Sequence, residues 1–520
     1  MNIKILLSAS ATKQTSDFAG CDGDCACSPA TSCEVDPLDF VTEFYSGVEH
    51  SFDTTSFHRI SQLNSLPLQN QDEIIFSHQA NVTMAVINPP ARRVLDFFAT
   101  PHTLTEWTQQ SEISQQEAFD AARLFYTGGF LEKATAIHTL PSFSASKATT
   151  LEAWLFLTRA CNLACPHCFV GKDTRRMELG TGLKAIQRLF DLAVQGGYQQ
   201  VKVKYAGGEP TLNWGLVLAL HQKGTELYAQ TGIKFKEILV TNATALSRSR
   251  LQFIQDGDIH LSVSLDGFGE GHDRQRPMVN GGKSFKRVIE ALRLAIEMGI
   301  SPSLTMTLTS LNLSDLPAVT NFAIENKLYL NMNFYRPHQQ NDPLVPEHGA
   351  LIESVLAAFD VIKANPPEYR LIDGLIDRSN FGFAHQHTCG AGLNYLSVDT
   401  DGRVLPCHML TGQNNYALSQ PLETVHPVFS GFENPRVDAR AGCNTCEWRY
   451  WCTGGCPILT YTTQGTVNAS SPYCDVYKTL YPELLGLEAA RLLKYGDGLD
   501  DYKMPIANTV AGFQQRQKVI

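Results

Sequence analysis

The sequence contains no apolar run approaching the ~18 residues that a membrane-spanning helix needs, and no block of Lys or Arg. Basic residues number 42 against 52 acidic ones, a net charge of −10, so neither nucleic acid nor an anionic membrane surface is an expected partner. Charged residues make up only 18% and apolar ones 43%, the balance of an ordinary globular protein, and 520 residues suffice for two or three domains around a large core. The opening Met-Asn-Ile-Lys-Ile-Leu-Leu mimics a secretory signal, but its apolar part is too short and the region behind it is too polar. Cysteine, by contrast, is abundant: fourteen residues, several in CxxxCxxC and CxxC clusters. In a large acidic chain such clusters indicate metal ligation in a reducing compartment rather than disulfides, and a cytoplasmic location is expected.

The densest chemistry lies at residues 159–169, Arg-Ala-Cys-Asn-Leu-Ala-Cys-Pro-His-Cys-Phe. Cys161, Cys165 and Cys168 follow an apolar, strand-like run at 154–158. Three thiolates in one loop can hold three corners of a cubane iron–sulfur cluster and leave one iron open. An open coordination position can take a further ligand. A zinc knuckle is the alternative; it would want a fourth Cys or His close by, and His167 directly abuts Cys168.

From about 150 to 340 strand-like and helix-like segments alternate. Strands are expected at 151–158, 201–205, 237–241, 259–265, 303–308 and 329–334, with helices between them, for example at 182–194 and 285–298. Six such units imply an α/β fold, a partial (β/α)6 TIM-like barrel with right-handed crossovers, whose site sits at the C-terminal ends of the strands. The motifs fall in those places. Gly207-Gly208-Glu209-Pro210 follows the second strand, 39 residues after Cys168, and glycines there let the backbone approach a ligand while Glu209 offers a carboxylate. Ser264 ends another strand, with Arg276 twelve residues on.

These features together resemble the radical S-adenosylmethionine (SAM) enzymes, down to the aromatic Phe169 after the third cysteine. The resemblance implies a 4Fe–4S cluster on Cys161, Cys165 and Cys168, with SAM chelating the open iron. It gives Gly207, Gly208 and Glu209 the methionyl ammonium, and makes Ser264 and Arg276 contacts for the SAM hydroxyls and carboxylate; the guanidinium fork of arginine suits a carboxylate.

Seven further cysteines lie between 389 and 474: Cys389, Cys407, Cys443, Cys446, Cys452, Cys456 and Cys474. The CxxC–x5–C–x3–C cadence with outlying partners is hard to explain as packing and resembles the SPASM extension of radical SAM enzymes. That likeness implies two auxiliary 4Fe–4S clusters, one on Cys443, Cys446, Cys452 and Cys474, the other on Cys389, Cys407 and Cys456 with its fourth ligand open or unidentified. Residues 390–395 hold no further cysteine. Sulfatase maturases of this family are expected to carry an Asp base directly after the cysteine at the position of Cys407; here His408 stands there as the candidate acid–base group.

Upstream, residues 1–70 are rich in Ser, Thr, Asp and Asn and read as a mobile lead-in containing Cys21, Cys25, Cys27 and Cys33; four thiols this close could bind a metal, donate a ligand elsewhere, or form a redox-active or incidental Cys-rich tail, and their spacing matches no established ligand pattern. Residues 71–140 read as two strands (73–77 and 81–87), a helix after Asn88-Pro89-Pro90, a second helix behind the capping box Ser114/Glu117, and a returning strand at 130–132. The pattern resembles winged-helix, leader-peptide recognition domains, which bind a leader as an added edge strand. A structural cap on the barrel is the plain alternative.

The expected order is therefore a lead-in (1–70), a winged-helix-like domain (71–140), the radical SAM barrel (148–340), a connecting helix (341–380), the SPASM extension (381–480) and a C-terminal helix and tail (481–520). The implied activity is that of an oxidoreductase modifying a precursor peptide or protein side chain by crosslinking, thioether formation or epimerisation. Electrons would come from a small donor of flavodoxin or ferredoxin type. The rivals are an anaerobic sulfatase maturase, a non-catalytic iron–sulfur carrier and a DNA-binding redox regulator.

Overall fold

The computed structural model describes residues 3–8, 56–80, 84–111, 114–134, 149–337, 341–382, 384–411, 418–426 and 432–496. Cys21, Cys25, Cys27 and Cys33 lie outside the described residues, as does the start of the strand-like run at 81–87. The described parts of 3–8, 56–134 and 488–496 form one unit and those of 149–487 another.

The first unit begins with β1 (Ile5–Leu7), β2 (Ser56–Arg59), β3 (Asn64–Pro67), β4 (Glu73–Phe76) and β5 (Met84–Ile87). An antiparallel sheet runs in the order β1-β5-β4-β3. Helix α1 (Pro89–Phe97) starts behind Asn88, whose side chain accepts from Ala91 N, with Pro at its first position where no N–H is needed. After β6 (His102–Thr103), α2 (Leu104–Gln110) opens with a capping box on Thr103 and Glu106. Helix α3 (Gln115–Thr127) opens with the expected one on Ser114 and Glu117. Strand β7 (Leu131–Lys133) returns to pair with β2, in the order β6-β2-β7. Ile5, Leu7, Phe57, Ile75, Leu95, Phe98 and Phe125 share one buried core. The stretch expected to be a lead-in thus contributes β1, β2 and β3. These strands are only three or four residues long and partly polar, as in Asn64-Ser-Leu-Pro67, so they show little alternation of their own and are held by pairing to apolar neighbours.

The second unit alternates β8 (Thr150–Thr158), α4 (Leu179–Gly196), β9 (Gln200–Gly207), α5 (Trp214–Thr231), β10 (Lys234–Thr241), α6 (Arg248–Asp256), β11 (His260–Ser264), α7 (Glu270–Gln275), α8 (Phe285–Glu297), β12 (Ser303–Leu308), α9 (Leu316–Glu325) and β13 (Leu330–Phe334). Strands β8 to β13 lie parallel in sequence order, the six-unit open barrel expected of the sequence. The outer edge of β13 is met by the chain at 375–377, where Met332 N donates to Leu375 O (2.7 Å) and Asp377 N to Met332 O (2.9 Å). Helix α10 (His348–Ala364) fills the connecting segment.

One departure concerns the cysteine-rich extension, expected as a separate domain. Its first strand, β14 (Tyr395–Val398), lies parallel to β8, and β15 (Val404–Leu405) pairs with β14. The extension therefore prolongs the barrel sheet before continuing through α11 (Arg449–Cys452), α12 (Pro457–Gln464) and α13 (Cys474–Tyr495). Among the described residues no helix is long and apolar enough to cross a membrane.

Glu237 of β10 ties β9 and α5 together. Its Oε1 accepts from the Tyr205 hydroxyl (2.5 Å), and its Oε2 lies 2.7 Å from His221 Nδ1. The hydrogen bond to Glu237 raises the His221 pKa above 6.5 against the opposing effect of burial. A group raised in the folded state stabilises fully below its ordinary pKa and loses that contribution as pH rises through the folded value. We expect His221→Gln to cost about 1–2 kcal/mol at about pH 6 and almost nothing at about pH 9. Thermal midpoints of both proteins at the two pH values check this.

Candidate metal and cofactor site

Strands β8 and β9 end side by side, and the first cysteine loop grows from the end of β8. Gly207 has a φ of 138°, and a Cβ there would come 2.1 Å from the Thr158 carbonyl oxygen; a Cβ on Gly208 would come 2.3 Å from that of Ala160. Across this contact Gly208 N donates to Thr158 O (2.7 Å) and Glu209 N to Ala160 O (2.9 Å). The glycines thus let the end of β9 lie directly on the chain that opens the cysteine loop. No larger residue fits without moving that loop.

Glu209 is fully buried. Its Oε1 takes Thr211 N (3.1 Å), Thr211 Oγ1 (2.5 Å) and Thr241 Oγ1 (2.6 Å), while Oε2 takes Asn242 N (2.8 Å). Burial raises its pKa, and these donors oppose the rise. A carboxylate offers about four acceptor sites, so most of its capacity goes to fixing the turn and only Oε2 keeps room for a ligand's donor. Asn242 continues inward: its Nδ2 donates to Asn162 Oδ1 (2.9 Å) and lies 3.9 Å from Cys161 Sγ.

Asp266, just past β11 and wholly buried, is the second organiser. Its Oδ1 accepts from Thr307 N (2.8 Å), and its Oδ2 accepts from Arg276 Nε (2.6 Å) and lies 3.3 Å from His167 Nε2. Burial alone would raise the Asp266 pKa, but Arg276 and His167 overcome it and hold the carboxyl low. Arg276 is conversely held high by Asp266 against its own burial. Burial pushes His167 down to about 4, leaving a neutral ring at neutral pH. His167 sits between Cys165 and Cys168, so this cluster pins the cysteine loop to the end of β11. Arg276 Nε is committed to Asp266, and Ser264 lies half-buried at the strand end nearby in sequence.

Burial raises the thiol of Cys161 to about 11 and that of Cys165 above its ordinary value, with Arg276 and Lys172 counteracting at Cys165. Lys172 is anchored by Nζ to the Leu163 carbonyl (2.8 Å). Buried thiols with cations beside them suit deprotonation by a bound metal, which ionises a coordinating thiol outright. Among the described residues no three His, Cys, Asp or Glu side chains are gathered around a single metal ion, and none of the ten described cysteines is in a disulfide.

Phe169 follows the loop and packs edge-on against Phe156 (6.3 Å between ring centres) and His408 (5.4 Å). His408 also stacks on Trp154 at 4.4 Å, and its Nδ1 lies 2.9 Å from the Tyr395 hydroxyl. Burial, then the charges of Arg336, Arg378 and Lys204, hold the His408 ring well below its ordinary pKa, and so neutral. Tyr395 is the sixth residue after Cys389, at the end of the stretch 390–395 that holds no cysteine.

In the extension, Cys443, Cys446, Cys452 and Cys474 are near enough to feel one another's charge. Cys452 is raised to about 12 by burial. Asn434 Nδ2 donates to Cys389 O (2.8 Å) and lies 3.8 Å from its sulfur. Cys407 caps the turn after β15 among Leu405 and Leu410. Arg440 is wholly buried and donates to Thr453 O (3.2 Å), Gly455 O (3.0 Å), Thr460 Oγ1 (3.3 Å) and Ala469 O (3.0 Å). Burial lowers the Arg440 pKa, and the charges of Cys443, Cys452, Cys456 and Cys389 oppose that. Gly454, at φ 80°, makes room for it, since a Cβ there would meet the guanidinium at 2.7 Å.

Arg440, Lys172, Asp266 and Thr241 are partners of the candidate site residues that no motif marks. One signal is present for Arg440: Gly454-Gly455 inside the C-x3-C spacer implies something large against the backbone.

Residues 155–323 match the family described as the Radical SAM superfamily. The chain is 24% identical over 372 residues to the PqqA peptide cyclase of Bradyrhizobium diazoefficiens, covering 66% of this chain and 91% of that protein. It is 23% identical over 352 residues to the cysteine-type anaerobic sulfatase-maturating enzyme of Clostridium perfringens, covering 62% and 92%. Among solved structures, native anSMEcpe with bound AdoMet is similar with a TM-score of 0.52 and 18% identity, covering 66% of this chain and 99% of that one. At that identity the shared property is the fold.

Proposed function

Given the radical SAM domain carried by residues 155–323, we propose that this chain is an oxidoreductase that modifies a ribosomally made peptide or a protein side chain by a crosslink, a thioether or an epimerisation. The observation that carries this reading is the joint placement of the CxxxCxxC loop and the Gly-Gly-Glu turn, with seven more cysteines downstream. The similarity to the PqqA peptide cyclase supports a peptide substrate. When bound, a 4Fe–4S cluster and SAM would supply reductive radical chemistry able to remove hydrogen from an unactivated carbon.

The chain's own residues hold, orient and shield. Cys161, Cys165 and Cys168 would hold the cluster, with Lys172 and Arg276 offsetting thiolate charge. The Gly207–Glu209 turn would receive the SAM ammonium, with the remaining acceptor capacity on Glu209 Oε2. Ser264 would serve the SAM hydroxyls, and Arg276, oriented through Nε by Asp266, would serve its carboxylate. Trp154, Phe156 and Phe169 pack in one apolar cluster beside the cysteine loop and would help exclude water. His408 is our candidate proton acceptor. Two auxiliary 4Fe–4S clusters would sit on Cys443, Cys446, Cys452 and Cys474, and on Cys389, Cys407 and Cys456. A cytoplasmic location and a flavodoxin- or ferredoxin-type donor complete the proposal.

Arg440 gives a specific expectation. A buried cation beside the downstream cysteines would favour the reduced, more negative state of clusters held there. Arg440→Met should lower the auxiliary reduction potentials by on the order of tens of millivolts, and Arg440→Lys should restore most of the shift. EPR-monitored redox titration measures both.

The test of function is anaerobic incubation of reconstituted enzyme, SAM and reductant with any short Cys-, aromatic- or Lys-rich peptide encoded beside it, read by mass. Absence of 5′-deoxyadenosine sinks the radical reading; 5′-deoxyadenosine without a change in peptide mass sinks only the substrate. The sulfatase-maturase reading is favoured by the Clostridium relative and disfavoured by His408 at the expected Asp position. Conversion of Cys or Ser to formylglycine in a sulfatase peptide would establish it.

A further inference from the structure

Strands β3, β4 and β5 form a meander that closes locally, with four residue pairs at each junction. The outer edge of β5 is a different matter. Met84, Ala85, Val86 and Ile87 are all wholly buried, so left open it would be an apolar edge of the kind that invites a foreign strand. It is covered by β1, which reaches it from the other side of a forty-seven-residue stretch, 9–55.

The cover has the form of a bound ligand. It is antiparallel, pairing Ile5 with Ile87, Leu6 with Val86 and Leu7 with Ala85. Bonds extend beyond the strand: Ser8 N to Met84 O (2.9 Å) and Asn88 N to Lys4 O (3.3 Å) join main chains, and Lys4 N donates to the side-chain Oδ1 of Asn88 (3.0 Å). Side chains alternate. Ile5 and Leu7 enter the core, Ile3 packs against it, and Lys4 reaches Asp72 Oδ2 at 2.8 Å. Backbone bonds that any peptide could make, with selective pockets at alternate positions, are the signature of strand addition.

We infer that residues 3–8 are an exchangeable strand, an intramolecular ligand on the β5 edge that a peptide of the same alternation, apolar–basic–apolar–any–apolar, displaces. That such a peptide belongs to the substrate rests on the proposed function. Two features favour exchange over permanent closure. The strand is three residues long. Its ion pair involves a Lys side chain 40% exposed, and such pairs contribute little. In the absence of a partner the same strand keeps the apolar edge from pairing with other chains.

The test needs no turnover. A fluorescein-labelled peptide of residues 1–12 is titrated into the full chain and into a chain lacking residues 1–8. We expect saturable binding to the shortened chain and at least tenfold weaker binding to the full one. Lys4→Glu in the peptide should weaken binding several-fold, and Asp72→Lys in the protein should recover it. SAM cleavage by the shortened chain shows that it is folded. Where it does not fold, hydrogen exchange on the full chain decides: excess peptide should expose the amides of 3–8 while those of 84–87 stay protected. Equal affinity for both chains, no binding to a folded shortened chain, or undiminished protection of 3–8 under excess peptide overturns the inference. None of these outcomes touches whether a substrate is modified during turnover.

Discussion

Cys161→Ala is expected to reduce 5′-deoxyadenosine formation to background and to remove about four irons per chain. The reason is the ligand count. Cys161, Cys165 and Cys168 are the three thiols of this loop, and with one gone two ligands remain for a cubane that already leaves an iron to another partner. Among the described residues, the two groups that hydrogen-bond the Cys161 sulfur, Asn242 Nδ2 and Leu163 N, are donors and cannot replace it as a ligand. Cys446→Ala makes the contrast. It also costs about four irons, but it belongs to the downstream set, so SAM cleavage should persist while peptide product disappears. Iron analysis, EPR and product mass on the two variants separate the roles. Full cleavage by Cys161→Ala overturns the first assignment, and normal product from Cys446→Ala overturns the auxiliary role of the second set.

The two cysteine sets can be contrasted because their spacing is legible in sequence, and so is the alternation that puts Gly207 at the end of a strand next to the one feeding the loop. The barrel order and the capping box at Ser114 are legible for the same reason: local chemistry dictates local geometry. Other parts are hidden because their cause is long-range. The Asn64–Pro67 strand has no pattern of its own and exists by pairing with β4. Strand β14 joins the barrel sheet through a partner, β8, more than two hundred residues upstream. In sequence the glycines of the Gly-Gly-Glu turn read as room for a ligand, whereas their Cβ positions are taken by the carbonyls of Thr158 and Ala160. Glu209 reads as a ligand contact and spends most of its capacity inside the turn. Asp266 shows the limit most plainly, since nothing in Ser-Leu-Asp-Gly says that this Asp will meet a histidine a hundred residues earlier.

That Asp carries the other large effect. Asp266→Asn keeps the shape but removes the charge, leaving the Arg276 guanidinium buried beside a neutral amide. Breaking one side of a buried ion pair costs about 3–5 kcal/mol, because the remaining charge is uncompensated. Asp266 is wholly buried and its hydrogen bonds to Arg276 Nε and Thr307 N are short, so the upper part of that range is expected. The damage should not stop at stability. His167 loses its anionic partner, and as it lies between Cys165 and Cys168, the loop loses its anchor on β11 and cluster loading should fall with the thermal midpoint. A double variant, Asp266→Leu with Arg276→Met, removes both charges and should recover much of the stability. It should not recover SAM cleavage, because Arg276 is the proposed SAM carboxylate contact. A double-mutant cycle on thermal midpoints, with iron content and 5′-deoxyadenosine measured on each protein, tests all three points. If Asp266→Asn melts with the unaltered chain and loads its cluster fully, the ion pair does not hold the loop.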